Sequence, residues 1–236
     1  MDAAGYTTLT RQSGLMREMA QVANNIANIS TTGFRREGVV FSEYVAGMDH
    51  DPSLSMAHAS ARHVDLQQGS SSQTGGTFDL AIQGDGFFLM ETPQGERLTR
   101  AGAFMPSANG ELVNADGLRL LDAGGAPIFI PPDATGIAVA SDGTVSANGQ
   151  PLAQVGLWQP VDPLSLRHEG GTLFVAGELE QVPGGQMLQG MLEDSNVEPV
   201  SEIARMITVQ RAYELGQKFL DTEDQRVRGV IQALGR

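Results

Sequence analysis

Cysteine is absent from all 236 residues, which excludes a disulfide framework and any thiolate metal site. No apolar run approaches the roughly 18 residues that a membrane-spanning helix needs. The N-terminus lacks a basic stretch followed by an apolar one, so no cleaved signal peptide and no membrane insertion are expected. Basic residues are few, 15 against 28 acidic, for a net charge of −13. Their placement says more than their number. Residues 1–36 carry a net +2, residues 191–236 a net −2, and residues 37–190, with five basic and eighteen acidic side chains, carry the remaining −13. No basic face can be built in that middle, so nucleic-acid binding is not expected. A solvated acidic surface is the plain explanation of the charge.

Chemistry-bearing clusters are also scarce. The four histidines are His50, His58, His63 and His168. His58 and His63 stand five apart, the wrong interval for one helical face. Asp51 and Asp65 lie near enough in sequence to add carboxylates, but a polar connector explains the group better than a metal site. Gly84-Asp85-Gly86 lacks the third glycine and following helix of a dinucleotide fingerprint. No nucleophile-elbow pattern surrounds any serine. No catalytic residue, metal site or cofactor is assigned.

Much of what is present lies at the two ends. Leu15, Met19, Val22, Ile26 and Ile29 are spaced 4, 3, 4 and 3, which predicts one helix over 2–29 with these residues on a single face. Ser30, Thr31, Thr32 and Gly33 then stop it, because small polar residues favour turns and glycine tolerates positive φ. Asn24, Asn25 and Asn28 weaken the last turns unless something binds their amides, since asparagine competes for nearby backbone groups. At the other end, Met206, Tyr213, Leu220, Val227 and Leu234 recur every seven residues. Val209 and Val230 fill the companion position, while Gly216 and Glu223 do not. Ser195 or Asn196 is the expected N-cap. A helix over 197–234 would be roughly 57 Å long at ~1.5 Å per residue.

Between the ends the pattern changes. Residues 37–72 read as an extended or mobile connector, with Val39-Val40-Phe41 a possible short strand. From Thr74 onward, short apolar runs alternate with turns such as Asn109-Gly110, Asp116-Gly117, Asp142-Gly143 and Asn148-Gly149, which predicts hairpins. The expected fold class is therefore α+β: N- and C-terminal helices form a coiled-coil-like end domain, with a central all-β domain of hairpins. The divisions are 1–36, N-terminal helix and turn; 37–72, connector; 73–190, β domain; and 191–236, C-terminal helix.

Neither terminal helix can bury its stripe alone. The economical solution pairs them and leaves the rest of the stripe for other copies. Such a pair is marginal in water, because tertiary burial supplies most helix stability. The ends are expected to be mobile in a free monomer and ordered in a polymer. On periodicity alone, an intramolecular coiled coil that never polymerises fits equally well.

The stretch Ala23-Asn24-Asn25-Ile26-Ala27-Asn28, followed by Thr31-Thr32-Gly33-Phe34-Arg35-Arg36, resembles the N-terminal signature of the bacterial flagellar axial proteins, the rod and hook family. Asp79-Leu80-Ala81-Ile82-Gln83-Gly84-Asp85-Gly86-Phe87-Phe88 and Leu98-Thr99-Arg100-Ala101-Gly102 are similar to its central blocks. Glu193-Asp194-Ser195-Asn196-Val197 and Met206 through Glu214 resemble its C-terminal signature. The short centre looks most like that of the proximal-rod type with one β domain; the distal-rod type is the nearest rival, and the hook type, usually longer, is the other alternative within the family. Gly216 departs from the family, which often has asparagine there.

The resemblance implies a structural, non-enzymatic subunit in the periplasmic rod of the basal body. It would be exported through the flagellar type III apparatus without cleavage and would assemble helically with itself and other rod proteins. The residues it points to for the assembly interface are Asn24, Asn25, Asn28, Gly33, Phe34, Met206, Gln210, Arg211, Tyr213, Leu220 and Val227, with Gln210 and Arg211 as candidate partners of the asparagine amides. Two alternatives of other classes are a secreted β-domain binder oligomerised by its helices and a hydrolase using acidic residues of the β domain.

Overall fold

The structure, a computed structural model, describes residues 3–46 and 54–234. Met1, Asp2, His50 and Asp51 fall outside them, as does the side chain of His58. The described chain divides into two compact units: one takes in residues up to 27, 37–63 and from 198 on, and the other takes residues 28–36 and 64–197.

The first unit is helical with a strand pair. Helix α1 spans Ala3–Ala27 and helix α2 spans Pro199–Leu234. Strands β1 (Glu37–Ala46) and β2 (Leu54–Val64) pair with each other, so most of the stretch expected to be a connector is a two-stranded sheet grouped with the helices. α1 stops two residues before the expected end. Asn28 turns the chain there: its carbonyl accepts from Thr31 N at 3.1 Å, and its side chain accepts from Thr31 Oγ1 at 3.0 Å. α2 starts at Pro199, a residue suited to a first turn whose amides lack partners. Neither expected N-cap serves it. The Asn196 side chain is engaged with residues 36, 65 and 67, and Ser195 Oγ accepts from Val197 N.

The helical seam lies where the heptads place it. Along α2 the buried and half-buried positions are Glu202, Met206, Val209, Ala212, Tyr213, Gly216, Leu220 and Glu223. All but Ala212 step by four and three, so Gly216 and Glu223 are seam positions after all. On α1 the buried positions include Gln12, Leu15, Glu18, Val22 and Asn25. Buried apolar side chains number only three across the described parts of both helices, Leu15, Val22 and Val209, against five polar ones, Gln12, Glu18, Gln21, Asn25 and Glu202.

The second unit is β-rich and has a conventional core. Its largest sheet has seven strands, ordered Arg167–Gly170, Leu173–Val175, Gly95–Thr99, Phe88–Thr92, Arg119–Leu120, Leu112–Val113 and Met105–Pro106. Every pairing in it is antiparallel, and proline stands only on the outermost strand, where a missing amide donor is harmless. The run Phe87-Phe88-Leu89-Met90 is continuously apolar because both sheet faces are buried. Phe88 and Met90 enter one cluster with Leu80, Ile82, Leu120 and Met187; Phe87 and Leu89 enter another with Leu98, Leu166 and Phe174. Side chains alternate across a strand, so four consecutive apolar residues feed two cores.

Candidate assembly elements

In the helical unit the polar seam residues are paired with one another. Asn25 is fully buried. Its Nδ2 donates to Glu37 O at 2.8 Å and to Glu202 Oε2 at 3.2 Å, and its Oδ1 accepts from Glu37 N at 3.0 Å. The amide thus imitates a strand neighbour for the first residue of β1 and fastens it to the first turn of α2. Glu18 pairs with Arg205 at 2.7 Å, and Gln12 Nε2 donates to Tyr213 O at 2.8 Å. The Gln21 amide, oriented to suit both neighbours, donates to Glu37 Oε2 at 2.7 Å and accepts from Arg62 Nε at 3.1 Å. Burial holds the Glu37 carboxyl above its ordinary range, partly opposed by Arg62.

In the β-rich unit, residues from distant parts of the chain meet on one carboxylate. Glu193 takes Arg35 at 2.8 Å and Arg100 at 3.0 Å, and all three side chains are almost wholly buried. Gly69 N also donates to Glu193 Oε1 at 3.1 Å. Arg35 Nη1 also donates to the carbonyl of Gln67, and Arg100 Nη2 to that of Gly84 at 2.7 Å, while the Nε of each arginine is buried with no hydrogen-bond partner among the described residues. Arg100 also lies 5.3 Å above the Phe87 ring. Two guanidinium groups share one carboxylate, so burial lowers both; Arg35 falls to about 10. Gly33 is required beside them. Its φ is +69°, its N donates to Glu193 O at 2.7 Å, and a Cβ there would collide with the Arg100-Ala101 backbone. Phe34 is buried, its ring centroid 5.1 Å from that of His168, which in turn packs in a tilted arrangement 4.3 Å from Phe174.

The sequence-derived interface residues therefore separate. Asn25, Gly33 and Phe34 are inside the chain's own cores. Asn28, Met206, Tyr213 and Leu220 are half-buried, the last three along the seam. Asn24, Gln210, Arg211 and Val227 are exposed. Within one chain Asn25 and Gln210 do not meet: Gln210 Nε2 donates to Glu214 Oε1 at 3.1 Å on its own helix. Sequence reasoning missed Gln12, Glu37, Arg100 and Glu193. Only Gln12 carried a readable signal, a polar residue three before Leu15 on the apolar face of α1.

Nine described residues of α1 precede Gln12 and twenty-one of α2 follow its partner Tyr213. The other cross-helix contacts, Asn25 with Glu202 and Glu18 with Arg205, run the same antiparallel way. α2 therefore outruns α1 by a dozen residues, roughly 18 Å. Val227, Val230, Ile231 and Leu234 on that extension are all exposed.

Three family models match the chain. The flagella basal body rod protein model covers residues 6–35, the flagellar hook protein FlgE/F/G D1 domain model 81–147, and the flagellar basal body rod FlgEFG protein C-terminal model 188–233. Arg35, Arg100 and Glu193 come one from each. Among curated proteins, the flagellar basal-body rod protein FlgF of Caulobacter vibrioides is 37% identical over 243 residues, covering 100% of this chain and 99% of its own length. FlgF of Mesorhizobium japonicum is 39% identical over 89% of this chain and 88% of its own length. The basal-body rod protein FlgG of Bacillus subtilis is 30% identical over 96% and 97%.

Proposed function

The chain belongs to the family of flagellar basal-body rod and hook proteins, and from that premise we propose how it works. It is a structural subunit of the basal-body rod, a family whose members assemble with other rod proteins. Its copies join through the terminal helices into a helical drive shaft that carries torque, and the interface comprises Asn24, Gln210, Arg211, Val227 and the half-buried seam residues. Asn25, Gly33 and Phe34 act on that interface from inside, by fixing the turns that present it. The chain reaches the periplasm through the type III apparatus without cleavage and occupies the proximal part of the rod, a placement supported by its short single β region.

The observation that carries this reading is the α2 extension. Its seam continues past the described start of α1 with Val227, Val230 and Leu234 in register, 49%, 50% and 83% exposed. Together with a helix pair whose interior holds more polar than apolar side chains, this is a surface that association completes. Heterologous contacts that do not close produce filaments rather than small rings.

The test is a chromosomal deletion complemented with full-length chain or with a chain ending at residue 225. Full-length chain should restore swimming; the shortened chain should be exported but leave basal bodies stopped within the rod. Normal rods from the shortened chain, or normal swimming without any copy of the gene, would refute the reading.

A further inference from the structure

Leu164 is 80% exposed, and the loop that presents it is tightly built. Asp162 Oδ1 accepts from Leu164 N at 3.0 Å, Ser165 Oγ donates to Asp162 O at 2.6 Å, and Gly177 N donates to Ser165 Oγ at 3.2 Å. This short turn, Pro163–Ser165, follows one end of a two-stranded ribbon made by Trp158–Pro160 and Leu179–Gln181, where Val161 N meets Glu178 O at 3.0 Å. At the ribbon's opposite end Val182 N donates to Leu157 O at 2.9 Å. There a cavity of about 180 Å³ opens, lined by apolar Leu157, Val182 and Met187 and by polar Asp142, Gln154 and Gln181 among others. Removing a leucine side chain from a protein core leaves a space on the order of 150 Å³, so this cavity is of leucine size.

We propose that Leu164 of one copy inserts into this cavity of the next, a contact between β-rich units that adds to the helical one. Knob and hole sit at opposite ends of one ribbon, so the contact is head to tail and does not close on itself; a single apolar side chain entering a distant pocket is a known route to an open fibre. The rigid loop lowers the ordering cost of docking. Exposed Arg167 follows the knob by three residues and can face exposed Asp142 in the lining of the hole, and among the described residues neither takes part in an ion pair; Asp162, two residues before the knob, is engaged by the Leu164 amide of its own loop. The proposal rests on the reading that copies of this chain assemble with one another.

The natural chain has no cysteine, so engineered thiols report cleanly. Rods carrying Leu164→Cys with Gln181→Cys should give covalent dimers and higher multimers on mild oxidation, and neither single variant should. Arg167→Asp and Asp142→Lys should each lower rod yield, and the two together should recover it. Leu164→Asp, whose side chain is already in water in the monomer, should leave the free chain's melting temperature unchanged and reduce rod yield. Multimers from the paired cysteines with rescue by the double charge swap support the contact. Wild-type rod yield from Leu164→Asp, or no multimers from intact double-cysteine rods, overturns it while leaving the rod assignment standing; absence of the wild-type chain from purified rods overturns the assignment itself.

Discussion

Gln12 reaches the carbonyl of Tyr213 through a gap left by Gly216. The bond is 2.8 Å long, and a Cβ on residue 216 would overlap the Gln12 amide. A glycine within a long helix ordinarily costs about 1 kcal/mol relative to alanine. Here its absence of side chain sets the register of the two helices.

Gly216→Ala is therefore expected to do little in the natural chain, because the propensity gain is offset by displacing the Gln12 amide, a bond worth about 1 kcal/mol. In a Gln12→Ala background the same change should stabilise the helical unit by about 1 kcal/mol. A double-mutant cycle on the helical melting transition measures the difference. Additivity of the two changes would remove the proposed link.

At the Arg35–Glu193–Arg100 cluster the expected costs are unequal. Glu193→Ala leaves two buried guanidinium groups uncompensated and should destabilise the β-rich unit by about 3–5 kcal/mol. Arg35→Met leaves the balanced Arg100–Glu193 pair in place and should cost markedly less. Chemical denaturation followed through Trp158 fluorescence ranks the two.

Glu37 makes the helical unit sensitive to pH. Its folded-state carboxyl is raised by burial, so the protonated form is favoured by folding. That stabilisation is present below the ordinary carboxylate range and is lost as pH rises through the raised value. Amide protection in α1 and α2 should therefore be greater at mildly acidic than at neutral pH. Glu37→Gln should flatten this contribution to the dependence and raise protection at neutral pH. An unchanged pH profile in the variant would assign the effect to other groups.

Asn25→Leu should be damaging although leucine suits a seam. It strips partners from the Glu37 amide and from Glu202, each a buried polar group whose exposure to an apolar neighbour costs about 1–3 kcal/mol. Asn25→Asp keeps the acceptor for Glu37 N but sets a second carboxylate beside Glu202, and should be no better. Hydrogen exchange of the first α2 turn reads both, with swimming as the functional measure.

The heptads, the hairpin turns and the apolar runs were legible in the chain, and with them the α+β class and the two helices. These are signals of local period, and period survives without knowledge of the partner. Residues 37–46 and 54–64 were not legible as paired strands grouped with the helices. Val39-Val40-Phe41 signalled a strand, but residues 54–64 mix small and polar side chains with no clear strand period, and the grouping of both with α1 and α2 is a contact across long sequence separations.

Residue type and spacing alone determined that this chain has two helical ends carrying apolar stripes around an acidic, turn-rich middle, and that its motif blocks resemble one family. Only the tertiary structure decided what the polar members of those blocks do. Asn25 is spent on Glu37 and Glu202, Arg35 and Arg100 share Glu193, and Gly216 makes room for Gln12. The reason is physical: an apolar side chain needs only to leave water, so its position in a period suffices, whereas a buried polar group needs a particular partner at about 3 Å, and that partner is chosen by the fold.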